Sequence, residues 1–226
     1  RLDPSISLKM YSQCDEFTVR YTVQILGEPM NDPRYTKLAE LLIHHSTDLQ
    51  AGEHILIEAV DMPREMIIEL VKVVQSVGGN AHVAVRDAQI NCALCAGGSD
   101  EMFESWSEYD LERMKRMDAY IALRGSHNIS EAMGIPADRQ QAYGKLYGAP
   151  VHMQQRLNHT KWCVLRWPTP SMAQLAGMNT EEFENFYFDV CTLDYSRMAS
   201  AAEHLVTLMN TTDQVHIQGP GDTDLC

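Results

Sequence analysis

Residues 53–87 read EHILIEAVDMPREMIIELVKVVQSVGGNAHVAVRD, and this stretch decides the fold. The apolar runs at 53–60 and 81–87 are short and rich in β-branched residues, which predicts two strands. Between them, apolar residues recur at the spacing of a single helical stripe, and the pattern stops at Gly78-Gly79, a common helix terminator. A strand, a helix and a second strand in this order indicate a βαβ unit with parallel strands.

Three further apolar runs extend this pattern, at 119–125, 161–167 and 214–220. Helical patterns separate the runs, and the strands are apolar on both sides. We therefore predict an α/β fold with three layers, in which a doubly wound, mostly parallel sheet of about five strands is covered on both faces. The last helical segment is predicted to be one long helix from Thr180, with an apolar stripe formed by Phe183, Phe186, Tyr187, Val190, Met198 and Leu205.

The first 29 residues differ from the rest of the chain. The stretch FTVRYTVQI at 17–25 alternates apolar and polar side chains without a break, which is typical of a half-buried antiparallel strand. The sequence thus predicts an N-terminal extension at 1–29 with an extra β segment that pairs with a sheet edge of its own or of a neighbouring subunit, and an α/β domain at 30–226.

Composition and charge exclude several classes of protein. The net charge is -13, and no Lys/Arg cluster offers a cationic face to phosphates, so we expect no nucleic-acid partner. No apolar stretch reaches the 18 or so residues of a membrane span, and the N-terminus lacks the layout of a secretory signal. The expected location is the cytoplasm, without membrane contact. Cys92 and Cys95 form a lone C-x-x-C, for which packing and redox or metal use both stay open.

The familiar catalytic motifs do not occur in this chain. The first strand is followed by DMPREM, which has no G-x-G-x-x-G, and there is no P-loop, H-E-x-x-H or G-x-S-x-G. We accordingly assign no catalytic residue and no metal ligand from the sequence.

Ligands of parallel α/β sheets approach the carboxyl ends of the strands. Two predicted strands end in GSHNIS (125–130) and RWPTPS (166–171), where polar groups could face a ligand or cap the next helix. His127 is either a ligand-contacting or acid–base group or an exposed residue of a capped turn. The candidates for lining a substrate cavity are Ser126, His127, Asn128, Arg166, Thr169 and Ser171.

Four stretches of the chain from Met30 onward are distinctive together: DPRYTKLAELLIHHSTDLQAGEHILIEA, RMKRMDAYIALRGSHNISE, KWCVLRWPTPSMAQLAGMNTEEFENFYFDVCTLDYSRM and GPGDTDL. Through these stretches the chain resembles the thermophilic-type metalloaminopeptidases, the family of aminopeptidases T and S. The third is the most specific, since it joins a strand, a double-proline loop and an acidic-aromatic helix. The resemblance covers about 197 residues, 30 through 226.

The resemblance implies an N-terminal α/β domain followed by a catalytic domain that holds two divalent metal ions (zinc, cobalt or manganese). Such enzymes remove the N-terminal residue of a peptide, usually as homodimers. The family's ligand motifs are missing here, so we expect the metal-binding catalytic domain to be absent and this chain to bind no metal. The expected function is that of an aminopeptidase scaffold, cut short and inactive alone. The alternatives are a non-catalytic α/β binding module and, more remotely, a relative of the iron dioxygenases of pyridine catabolism.

Overall fold

The computed structural model describes residues 32–225. Four parallel strands form its central sheet in the order β2-β1-β3-β4. The strands are β1 (His54–Val60), β2 (Asn80–Arg86), β3 (Ala119–Arg124) and β4 (Lys161–Arg166). Each coincides to within a few residues with a predicted apolar run. The prediction of an α/β fold with a parallel sheet is therefore confirmed.

Helices connect the strands and cover the sheet. Helix α1 (Pro33–Glu40) precedes β1, and a π-helical turn continues it over Leu41–Ser46. Helix α2 (Arg64–Ser76) connects β1 to β2. The middle of the chain forms α3 (Ala88–Gly97), α4 (Asp100–Met114), a 3-10 turn (Glu131–Gly134), α5 (Ala137–Tyr143), a π-helical segment (Gly144–Arg156) and the short α6 (Leu157–His159). After the sheet come α7 (Pro170–Leu175), α8 (Thr180–Cys191) and α9 (Tyr195–Asn210).

The sheet has a core on each face because successive side chains of a strand point to opposite sides. Ile55 and Ile57 of β1 are buried with α1, α2 and α8 on what we call the α2 face. Leu56 is buried with α4 and the π-helical segment on the α4 face. All three side chains are at most 1% exposed, so β1 is a central strand buried on both sides. This arrangement is the predicted three-layer architecture.

The direction of winding reverses between β1 and β3. The chain leaves β1 for β2 at one edge, then crosses back to β3 and β4 on the other side. Neighbouring loops diverge at such a switch point and leave a crevice at the carboxyl ends of the strands. The loops that follow β1 and β3 begin at Asp61 and Gly125, where the Gly125 amide donates a hydrogen bond of 2.8 Å to the carbonyl oxygen of Val60.

The prediction of a fifth sheet strand at 214–220 is wrong. Within the described part of the chain, Ile217–Gly219 forms β5 and pairs only with β6 (Thr223–Leu225), in an antiparallel hairpin. Gly221 and Asp222 turn the chain between them with φ angles of +70° and +60°. A turn of this kind lets the apolar run pair with its immediate neighbour rather than with the edge of the parallel sheet.

The prediction of one long helix after Thr180 is also wrong. The chain breaks between α8 and α9, where the Asp194 carboxylate accepts a hydrogen bond of 3.1 Å from the amide of Arg197 and caps α9. The side chains of Phe186 and Leu205 are 56% and 57% exposed. Of the predicted stripe, Tyr187 is buried, and Phe188 takes the buried position expected for Phe186, because α8 turns Tyr187 and Phe188 toward α1 and the end of β4.

The predicted extension at 1–29 and its strand at 17–25 lie outside the described residues. Among residues 32–225, no helix is both long and apolar enough to cross a membrane.

Candidate functional site at the carboxyl ends of the strands

The loop after β4 is built by local capping. The Thr169 hydroxyl accepts a hydrogen bond of 3.4 Å from the amide of Met172, and Pro170 occupies the first turn of α7, where proline is favoured. Thr169 is 4% exposed, and its Oγ1 lies 3.0 Å from Oγ of Ser171. Ser171 Oγ in turn donates a hydrogen bond of 2.6 Å to the carbonyl oxygen of Ser126. This contact joins the loops that follow β3 and β4.

The loop after β3 is closed by its own polar side chains. Ser126 Oγ donates to the carbonyl oxygen of Asn128 at 2.8 Å, and Asn128 Oδ1 accepts from the amide of Ser130 at 3.0 Å. Such local bonds are typical of Ser and Asn in turns. His127 is held between these two residues with its side chain exposed.

These loops border a groove of about 590 Å³ at the switch point. His127 and Thr169 line it together with Asp61 and Asp87, and Trp167 contributes apolar surface. A smaller neighbouring pocket of about 250 Å³ is bordered by His127, Asn128, Asp61 and Asp87. The combination of a histidine, two carboxylates and apolar rings suits a ligand with polar and apolar parts.

Asp61 is a site residue that the sequence analysis missed. It has a left-handed backbone with φ of +49°, and its Oδ1 accepts a hydrogen bond of 3.0 Å from the amide of Ala88. Asp adopts this conformation more readily than most residues, and strained backbone is common at ligand sites. The signal available in the sequence was an aspartate directly after a buried strand, in EAVDMP.

The structure brings five of the six predicted cavity residues together. Ser126, His127, Asn128, Thr169 and Ser171 belong to the two joined loops. Arg166 lies apart from these five residues. It is the exposed last residue of β4, and it borders neither of the two grooves described above for residues 32–225. Register pairs Arg166 with Arg124 of β3.

A second cavity, on the α4 face, was not predicted. It has a volume of about 580 Å³ and is bordered by Arg86, Arg124 and Arg156 with the carboxylate of Glu58. The strands β2 and β3, which flank β1 in the sheet, both end in arginine, and this was the available signal in the sequence. The parallel register aligns both arginines with Val60, so they lie on the same side of the sheet.

Cys92 and Cys95 of α3 also border this second cavity. Burial raises the pKa of both thiols. A thiol with a raised pKa is a poor nucleophile at neutral pH, because the thiolate is the reactive form. The local environment therefore favours packing over redox use.

A two-metal centre does not fit the described residues. Nowhere in 32–225 do three or more His, Cys, Asp or Glu side chains converge in a way that could hold a metal ion. Catalytic metals need at least three protein ligands in most known sites.

This geometry defines the class of the protein, which is a parallel α/β domain with a groove at the switch point of its sheet. The sequence profile described as thermophilic metalloprotease (M29) matches residues 31–226. The chain belongs to that family, which confirms the resemblance seen in its motifs.

One of the aligned solved structures supports this assignment at the level of the fold. Wild-type AmpT from Thermus thermophilus aligns with a TM-score of 0.65 at 19% identity, over 85% of this chain and 52% of AmpT. This chain thus spans about half the length of AmpT. An alcohol dehydrogenase superfamily protein from Novosphingobium aromaticivorans aligns with a TM-score of only 0.31 at 12% identity, over 74% of this chain and 50% of that one. Comparison with curated protein sequences gave no significant match.

The hydrogen bond between the two loops leads to a first prediction. We expect Ser171→Ala to lower the free energy of unfolding by about 1–2 kcal/mol, because the carbonyl oxygen of Ser126 loses its donor. Amide exchange in residues 125–130 should become faster. Urea denaturation and hydrogen exchange measure the two effects. The control is Ser200→Ala on the exposed side of α9, which should change stability by no more than about 0.5 kcal/mol. Equal effects of the two variants would contradict the prediction.

Proposed function

We propose that residues 30–226 are the N-terminal scaffold part of a metal-dependent aminopeptidase and that the metal ligands of that enzyme lie outside this span. Membership of the thermophilic metalloprotease (M29) family supports the peptidase assignment. The observation that carries the second half of the proposal is that residues 32–225 bring no metal-binding group together. The two divalent metal ions of the full-length enzyme, zinc, cobalt or manganese, would be held elsewhere.

In this proposal the joined loops form one wall of the peptide cavity. Ser126, Asn128 and Ser171 keep the loops in place, while His127 and Thr169 border the groove where a peptide would lie. Asp61 and Asp87 outnumber the one arginine that lines the groove, Arg86, and the remaining negative charge suits the protonated amino terminus of a peptide substrate. Arg166 at the end of β4 would contact the peptide only if the substrate extends beyond the groove.

The C-terminal part of the described chain supports the idea that this scaffold packs against further protein. Large apolar side chains of α8, α9 and the hairpin are about half exposed, including Val190, Leu208 and Ile217 at 43%, 54% and 54%. Exposed apolar surface on this scale is typical of an interface. We propose that the metal-bearing part of the enzyme covers it.

A cytoplasmic location and a homodimer are proposed from the resemblance alone, and light scattering of the purified chain tests the dimer.

A non-catalytic α/β binding module is the second candidate. The arginine-bordered cavity on the α4 face supports it, because that cavity does not depend on metal ligands from outside the chain.

The two candidates make different predictions for the reading frame beyond Cys226. Family motifs with glutamate and histidine in that stretch favour the peptidase scaffold, and an immediate stop codon favours the module. Both candidates predict that the purified 226-residue chain releases leucine from a leucyl peptide no faster than buffer, with zinc, cobalt or manganese present. Metal-dependent release by a homogeneous sample, abolished by a chelator, would refute the placement of the metal ligands outside this span.

A further inference from the structure

The cavity on the α4 face contains more positive than negative charge. Arg86, Arg124 and Arg156 border it together with a single carboxylate, Glu58, so the formal charge of these four side chains is +2. Glu58 is 7% exposed, and its Oε2 lies 3.4 Å from Nε of Arg86, so its negative charge already pairs with Arg86. The nearby Asp110 is engaged as well, by Arg86, Arg113 and the Tyr147 hydroxyl.

Arg156 is the residue that this arrangement leaves uncompensated. It is 5% exposed, and its Nε and Nη1 are buried without a hydrogen-bond partner among residues 32–225. The guanidinium carbon lies 4.7 Å from the ring centroid of Trp162 and 5.1 Å from that of Tyr120. These rings attract the cation but accept no conventional hydrogen bond from its N–H groups. A guanidinium keeps its charge at neutral pH, and burying it unpaired is costly.

His152 adds a second unpartnered group to the same cavity. Its Nδ1 is buried without a hydrogen-bond partner in the described part of the chain. Burial lowers the pKa of His152, and Arg156 lowers it further against the opposing effect of Glu58. The imidazole is therefore neutral at pH 7 and can donate one hydrogen bond to a ligand.

We propose that this cavity binds a small organic anion, whose carboxylate or phosphate pairs with the buried guanidinium of Arg156. The planar fork of an arginine matches both groups in a bidentate geometry. Arg124 supplies further positive charge, and the rings of Trp106, Tyr143 and Trp162 surround the ligand's apolar or aromatic body. A volume of about 580 Å³ is in the range of small-molecule sites. The proposal goes beyond the peptidase scaffold, since this cavity lies on the α4 face and needs no metal.

The first arm of the test measures binding to the purified chain. The probes are inorganic phosphate, phenyl phosphate and benzoate, with sodium chloride at matched ionic strength as the control. At about ten times its dissociation constant, a bound anion should raise the thermal midpoint by about 3–6 °C. Preference for phenyl phosphate or for benzoate identifies a phosphate or a carboxylate ligand. The absence of a shift with all three probes overturns the proposal.

The second arm locates the bound anion. Arg156→Gln should weaken binding in isothermal titration at least about tenfold, or about 1.4 kcal/mol. Without ligand it should be at least as stable as the parent, because it removes an unpaired buried charge. Arg116→Gln, in the turn after α4 at a side chain that is 73% exposed, is the matched control and should bind normally. If Arg156→Gln does not fold, Arg156→Lys replaces it, and we expect weaker binding because the forked geometry is lost. Unchanged affinity in either variant overturns the proposal.

Discussion

Replacing Phe188 by alanine is expected to lower the free energy of unfolding by about 3–5 kcal/mol. Phe188 is 2% exposed, and its ring contacts those of Tyr35, Trp167 and Tyr187, with centroid distances of 5.8, 5.7 and 5.3 Å. These rings belong to α1, the end of β4 and α8. The substitution therefore leaves a cavity where three elements meet, in a domain whose total stability is of the order of 5–15 kcal/mol. Urea denaturation followed by circular dichroism measures the loss.

The matched control for this prediction lies two residues away. Phe186 belongs to the same helix but is 56% exposed, so Phe186→Ala should cost less than about 1 kcal/mol. If Phe188→Ala does not fold, Phe188→Leu gives the measurement, with an expected loss of about 1–2 kcal/mol, because most of the apolar volume remains. Equal losses at positions 186 and 188 would contradict the orientation of α8, in which Phe188 is buried and Phe186 is exposed.

Replacing Gly125 by alanine is expected to destabilise the protein by about 1–3 kcal/mol and to displace the loop that carries His127. A Cβ atom at Gly125 would overlap the carbonyl oxygen of Asp61 and lie 3.1 Å from that of Val60. These are backbone atoms of the neighbouring strand end, which cannot rotate away as a flexible side chain can. The added methyl group must therefore separate the loops after β1 and β3 at the switch point.

Thermal unfolding measures this effect, and amide exchange in residues 125–130 reports the displacement of the loop. Gly134→Ala is the control, since a Cβ there meets no atom within 4 Å. It should leave stability within about 1 kcal/mol of the parent, with a small gain expected from the stiffer unfolded chain. A Gly125→Ala protein with unchanged stability and exchange would contradict the close approach of the two loops.

Much of the fold could be predicted from the sequence because the relevant signals are local. The four sheet strands follow from short apolar runs, and Ser99, a residue type that favours helix caps, accepts a hydrogen bond of 3.1 Å from the amide of Met102 at the start of α4. Thr169 and Pro170 begin α7 in the same predictable way. Such signals depend on residues within one or two turns of each other.

The errors concern strand pairing and burial, which the local apolar pattern does not determine. Ile217 belongs to an apolar run that looks like a sheet strand, yet it pairs with Leu225 in a hairpin. Phe186 and Phe188 are both aromatic and lie on the same helix, so helical spacing alone cannot assign the buried one. Arg156 and Glu58 are 98 residues apart in the numbering and meet at one cavity only because the helices of the α4 face cover that part of the sheet.

The sequence by itself determined the alternation of strands and helices, the parallel sheet, the helix caps and the membership of a metalloprotease family. Hydrophobic periodicity and helix capping depend on residues close together in the chain, so they can be predicted from the sequence. Only the tertiary structure decided where the winding reverses, between β1 and β3, the burial of Phe188 in place of Phe186, and the unpaired charge of Arg156. The physical reason is that burial and charge compensation are set by whichever elements pack together, and those elements are far apart in sequence.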